Sequence, residues 1–167
     1  MKRISLKLEP LSEEQVLNIL EERGIGINRY AEEYFRHPQF PSRKSREMTV
    51  VIASLREIGL PDGAVPEDIF QRLPELGWQP CPPAAGVFLR LAWTDQPESR
   101  NSVLSGTHEA PDRAVMVLSE FLEPDDAFPK GLYLRRVDGR LWLRGYICDA
   151  LYRFPGDALF AFMEKET

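Results

Sequence analysis

The sequence predicts an α+β fold, with N-terminal helices packed on a mostly antiparallel meander of about five strands. Three observations carry this. Capped segments with helical apolar stripes fill the first part of the chain, together with a third helix before the sheet. Strand-like runs joined by turns fill the second part. Between two of those runs stands Asp138-Gly139, the strongest short-range signal for a two-residue hairpin turn.

Taking the elements in order, Ser12 with Gln15 three residues on is a capping box, and Val16, Leu17, Ile19 and Leu20 form the apolar stripe of a helix that Gly24 ends. Asn28 opens a second helix carrying Tyr30, Ala31, Tyr34 and Phe35, which stops before Pro38. Arg43, Lys44 and Arg46 make the main basic cluster of this half and read as a solvated loop, the alternative being an anion held there with Ser42 and Ser45. Residues 48–55 are rich in β-branched side chains and read as a strand able to pair at either edge of the sheet. Pro66 suits the first turn of a helix over 66–76, Glu67 and Asp68 suit its positive end, and Gly77 is its stop.

Residues 87–94 alternate as a strand, with Arg90 in a Leu-Arg-Leu context where a half-buried guanidinium needs a carboxylate or carbonyl partner. Residues 114–122 and 159–163 read as further strands, separated from the hairpin by Glu123-Pro124-Asp125-Asp126 and by a connection anchored on Tyr152 and Phe154. The long segment 95–113 has neither period; such loops are functional or disordered. The whole reads as one domain, residues 1–45 a helical N-terminal part and 46–167 an α+β core.

The hairpin, GLYLRRVDGRLWLRGYI over 131–147, is the centre of the chain. A two-residue turn at Asp138-Gly139 sets Val137 opposite Arg140, Arg135 opposite Trp142, and Tyr133 opposite Arg144. Leu132, Leu134, Leu141 and Leu143 then share a core face, while Tyr133, Arg135, Val137, Arg140, Trp142, Arg144 and Tyr146 share the other. Arg135 over Trp142 and Arg144 over Tyr133 are expected as cross-strand cation–π pairs that brace the sheet. The functional alternative is a platform for a phosphate, a carboxylate or a base, with Tyr133, Arg135, Trp142, Arg144 and the nearby Arg90 as candidate ligand residues.

A chain of 167 residues with 43% hydrophobic side chains can bury its own core without disulfide or metal. A net charge of −5 argues against general nucleic-acid binding and leaves only local basic patches. MKRISLKLEP lacks the apolar run of a signal peptide and no stretch is long enough to span a membrane, so a cytoplasmic protein is expected. Cys81 and Cys148 fit no metal or redox spacing and read as small hydrophobes. Nucleotide-binding glycine loops, the zinc-protease helix motif and the serine-hydrolase elbow are all missing, and with only two histidines, His37 and His108, a multi-histidine metal site is excluded. No cofactor and no metal are expected.

Two stretches, SLREIGLPDGAVPEDIFQRLPELGWQPCPPAAGVFLRLAWTDQP (54–97) and FPKGLYLRRVDGRLWLRGY (128–146), resemble a family of small uncharacterised bacterial proteins with the ordered series ELG, DGA, ELG, CP, LRL, DQP and a later DG-LWL hairpin. Ile58 interrupts the first Glu-Leu-Gly of the series. The resemblance covers about half the chain, implies a shared fold unit without an activity, and marks Cys81, Arg90, Asp95 and Gln96 as recurring positions.

Two functional readings follow. The first is a non-catalytic binding or interaction module whose Arg/aromatic sheet face meets an unknown protein or a small anionic ligand. The second is a small hydrolase or transferase acting on an anionic substrate, with His108 as general base beside Glu109 or Asp112, and Arg90 or Arg135 on the substrate.

Overall fold

In the first residues, KRISLKL, apolar side chains alternate with polar ones, and this period builds an edge strand, β1 (Lys2–Leu8), that turns Leu6 and Leu8 inward. The structure, a computed structural model, describes residues 1–100 and 113–166. The N-terminal part is therefore not helical alone: β1 pairs antiparallel with β2 (Arg46–Ser54), from Lys2 opposite Ile52 to Leu8 opposite Arg46. Between them lie α1 (Glu13–Glu22) and α2 (Arg29–Phe35). Ser12 and Gln15 close the expected capping box, with Gln15 N–H donating to Ser12 Oγ at 3.1 Å and Ser12 N–H to Gln15 Oε1 at 2.8 Å. Asn28 Oδ1 accepts from Ala31 N–H at 2.9 Å and caps α2.

A single 3-10 turn, Arg56–Ile58, follows β2. Then come α3 (Pro66–Leu76), with Pro66 in its first turn and Gly77 as its left-handed stop, and the short β3 (Trp78–Gln79). The expected strand at 87–94 is instead a helix, α4 (Ala85–Ala92). Ala85, Gly86, Val87, Leu89 and Arg90 are all buried, and the more open positions Phe88, Leu91 and Ala92 are apolar, so the segment presents no polar stripe of helical period. Gly86 lets α4 lie flat on the sheet, for a Cβ there would come within 2.9 Å of Leu132 Cδ1.

The remaining strands are β4 (Val115–Val117), β5 (Gly131–Val137), β6 (Arg140–Tyr146) and β7 (Leu159–Glu164). The sheet order is β1-β2-β7-β4-β5-β6, with β3 also on β7, and the seven strands curl into a half-barrel. This is α+β as expected, but with more strands, and mixed: β4 runs parallel to β7, Val115 beside Leu159 and Val117 beside Ala161. A simple meander is excluded, because the last strand enters between β2 and β4. That insertion places β2 inside the sheet, between β1 and β7.

Over its central strands the sheet is covered on both faces. Leu132, Leu134, Leu143, Val115, Val117, Val50 and Ile52 pack with α1, α2 and α4 on one side. Val51, Ala53, Met116, Phe160 and Phe162 pack with Ile69 and Leu73 of α3 and with Phe154 on the other. Among the described residues no helix is long and apolar enough to cross a membrane.

Candidate anion-binding face of the hairpin

The hairpin has the register its turn dictates. Val137 pairs with Arg140, Arg135 with Trp142, and Tyr133 with Arg144. Both turn residues take positive φ, 50° at Asp138 and 78° at Gly139, as a type I′ turn requires. β6 is the last strand of the sheet, and its outer edge is taken by the chain between α1 and α2. Gly26 N–H donates to Leu141 O at 3.0 Å, and Leu143 N–H donates to Gly26 O at 2.9 Å. This docking seats the indole of Trp142 directly over Gly26, where a Cβ would lie 2.3 Å from Trp142 Cε3.

Two guanidiniums flank that indole. Arg140 Cζ stands 4.5 Å from the ring centroid and Arg144 Cζ 5.5 Å. Arg140 also donates through Nε to Gly24 O at 3.2 Å, beyond the C-terminal end of α1, where the helix dipole favours a cation. Arg144 Nε is buried and has no hydrogen-bond partner. Among the described residues neither arginine pairs with a carboxylate. The cation–π contacts therefore run along β6 between residues two apart, rather than across the strands from Arg135 and onto Tyr133.

Of the candidate residues, Tyr133, Trp142 and Arg144 share the outer face as the strand period places them. Tyr133 is half-buried with its ring 6.4 Å from that of Tyr146, and burial pushes its hydroxyl pKa up while Arg144 and Arg135 pull it back. Arg135 lies on the same face but is only 2% exposed, with Nε donating to Ser99 Oγ at 3.3 Å. The cover over this end of β5 includes the chain just after Gln96. Ser99 N–H donates to Arg136 O at 2.8 Å, Glu98 Oε1 accepts from Gly139 N–H at 2.7 Å, and Glu98 Oε2 lies 3.3 Å from Arg136 Nε. Arg140 enters the site in its place, two residues before Trp142 on the same strand face.

Arg90 does not join this face. It projects from α4 on the Leu132/Leu134/Leu143 side and is fully buried. Its Nη1 donates to Gln96 Oε1 at 2.7 Å, Trp142 O at 3.3 Å and Arg135 O at 3.4 Å, and its Nη2 to Trp93 O at 2.5 Å. Gln96, equally buried, donates through Nε2 to Leu134 O at 3.0 Å and Arg113 O at 3.1 Å. Every acceptor is neutral. Burial, and then the like charge of Arg136, pulls the Arg90 pKa down to about 10. Arg90 and Gln96 form a clasp joining α4, the hairpin and the chain entering β4.

Cys81 is buried with its thiol 3.6 Å from Ala161 O, and burial pushes its pKa up to about 12. Burial likewise pushes Cys148 up to about 11. Neither thiol is a thiolate nucleophile at neutral pH. His37 is held between loops, Nε2 at 2.8 Å from Glu123 Oε1 and Nδ1 accepting from Gln39 N–H at 3.1 Å. His108, Glu109 and Asp112 lie outside the described residues. Among the described residues no group of three or more His, Cys, Asp or Glu side chains is placed to hold a metal ion. An open groove of about 590 Å³, lined by Ser5, Lys7, Glu47, Thr49 and Glu164 among others, lies near the opposite edge of the sheet and is separate from the hairpin face.

The fold and the face together define an α+β half-barrel with one edge strand presenting an arginine-flanked indole. In comparisons with known proteins, the chain matches no protein-family model, no curated protein and no solved structure.

Proposed function

We propose that the protein is a non-catalytic binding module whose ligand or partner surface is the outer face of β6, centred on Arg140, Trp142 and Arg144 with Tyr133 beside them. One observation carries this reading: two guanidiniums lie against Trp142 with no carboxylate partner among the described residues. A guanidinium stacked on a ring keeps its N–H groups in the plane, directed outward, in the fork that matches a carboxylate or phosphate. Arg140 spends Nε on Gly24 O and Arg144 Nε is buried without a partner, so the terminal Nη groups are the donors that face a ligand. An unmet donor set of this kind is complementary to an anion. Its setting in a chain of net charge −5 keeps the attraction local and salt-sensitive. The likeness to a bacterial family brings no activity to this reading, which rests on the face itself.

A thermal-shift screen of phosphates, nucleotides, sugar acids and short oligonucleotides tests it, run on wild type and on the double variant Arg140→Gln/Arg144→Gln. A ligand at a hundredfold excess over Kd stabilises by about 2.7 kcal/mol, which in a chain of this size raises Tm by about 5–10 °C. The reading requires that rise in wild type and its loss in a folded double variant. If no anion stabilises wild type, or if both proteins respond equally, the face is only a brace.

A further inference from the structure

Resting on the anion-binding reading of the same face, we infer that its ligand is recognised through oxyanion groups alone, with no aromatic ring stacked on Trp142. The ligand class is a non-aromatic phosphate or carboxylate compound. Arg140 stands two residues before Trp142 and Arg144 two after it on one strand. In an extended strand, side chains two apart lie about 6.5–7 Å from one another on the same face. The two guanidiniums therefore approach the indole from opposite directions along β6, at 4.5 and 5.5 Å from its centroid. A third side is closed by the backbone of Gly26, close enough that a Cβ there would fall 2.3–2.6 Å from three ring atoms. A nucleobase or other flat ring stacks by covering an indole face, and here two guanidiniums and the Gly26 backbone already crowd the ring. The half-buried Tyr133, its ring near Tyr146, offers no open substitute. What the site leaves for a ligand is the terminal Nη groups of the two guanidiniums, since Arg140 Nε is spent on Gly24 O and Arg144 Nε is buried.

The residues thus make a charge reader, in contrast to the stacking platforms of single-strand nucleic-acid binders, where each base gains roughly five- to a hundredfold in affinity from a free ring. The test is an isothermal titration of the wild-type protein at low ionic strength with ribose 5-phosphate, adenosine 5′-monophosphate, adenosine and citrate. The expected result is equal affinity, within twofold, for the two phosphates, and no binding of adenosine. Comparison of citrate with ribose 5-phosphate assigns the carboxylate or the phosphate as the preferred oxyanion. A fivefold or greater gain from the base, or binding of adenosine alone, overturns this inference while leaving the anion site standing. If none of the anions binds, or if Arg140→Gln/Arg144→Gln binds as wild type does, the anion-binding reading beneath it falls as well.

Discussion

Replacing Gln96 with Leu should destabilise the protein by more than its own hydrogen bonds suggest, because it strands a buried cation. Gln96 accepts the 2.7 Å bond from Arg90 and donates to two backbone carbonyls. A hydrogen bond to a charged group contributes about 1.5–3 kcal/mol, and each buried carbonyl left unpaired costs about 1 kcal/mol or more. The Gln96→Leu variant should therefore lose about 3–5 kcal/mol. In a chain of this length that is a fall in Tm of about 10 °C. Arg90→Met removes the charge together with its need for partners and should cost less, about 1–3 kcal/mol. The double variant Arg90→Met/Gln96→Leu should then be no less stable than Gln96→Leu alone. Urea unfolding at constant m, read as a double-mutant cycle, measures this directly. Costs that add to within about 0.5 kcal/mol would show that the two side chains are not a coupled clasp.

Two further outcomes follow from the same structure. Gly26→Ala should cost about 1–3 kcal/mol and displace the Trp142 indole, since the new methyl group overlaps the ring; a Trp142 fluorescence spectrum and stability equal to wild type would contradict the packing. Cys81 ionises near 9.0 when unfolded but near 12 when buried, so the unfolded chain loses its proton first and stability must fall as pH rises above about 9. By pH 10 this one thiol accounts for about 1 kcal/mol, which a Cys81→Ala variant should remove from the alkaline slope; Tyr34 and Tyr146, whose hydroxyls burial also pushes up, add their share at higher pH.

What could be read in the sequence was what local chemistry decides. The capping box at Ser12, the Asn28 cap, the Pro66 start and the Asp138-Gly139 register are all set by neighbours a few residues away, and each stands in the structure as its residues imply. β1 had its signal in the alternation of Ile4, Leu6 and Leu8, which a search for a leader segment passes over. α4 had none, because Arg90, the residue that would mark a polar stripe, is as buried as Leu89 beside it. The reach of 114–122 was overestimated for a non-local reason. β4 ends at Val117 because Leu118 turns its carbonyl to Cys81 N–H at 2.7 Å. The parallel entry of β7 between β2 and β4 depends on pairings over 40 residues apart, which no local pattern encodes.

The site was legible to the same extent. Strand period placed Tyr133, Arg135, Trp142 and Arg144 on one face, but it could not show that Arg135 is covered near Ser99. Nor could it show that Gly26 turns the indole toward Arg140.

Anion binding at Arg140, Trp142 and Arg144 is read most closely in the indole N–H spectrum of the three tryptophans, Trp78, Trp93 and Trp142. Trp78 and Trp93 are buried on β3 and at the end of α4, so a ¹⁵N–¹H titration with ribose 5-phosphate, the peaks assigned with a Trp142→Phe variant, reads the site residue by residue. The Trp142 peak should move along a saturating curve while Trp78 and Trp93 stay in place, and Arg144→Gln should abolish the movement. A Trp142 peak that stays still while another tryptophan responds would place the ligand elsewhere and contradict the claim.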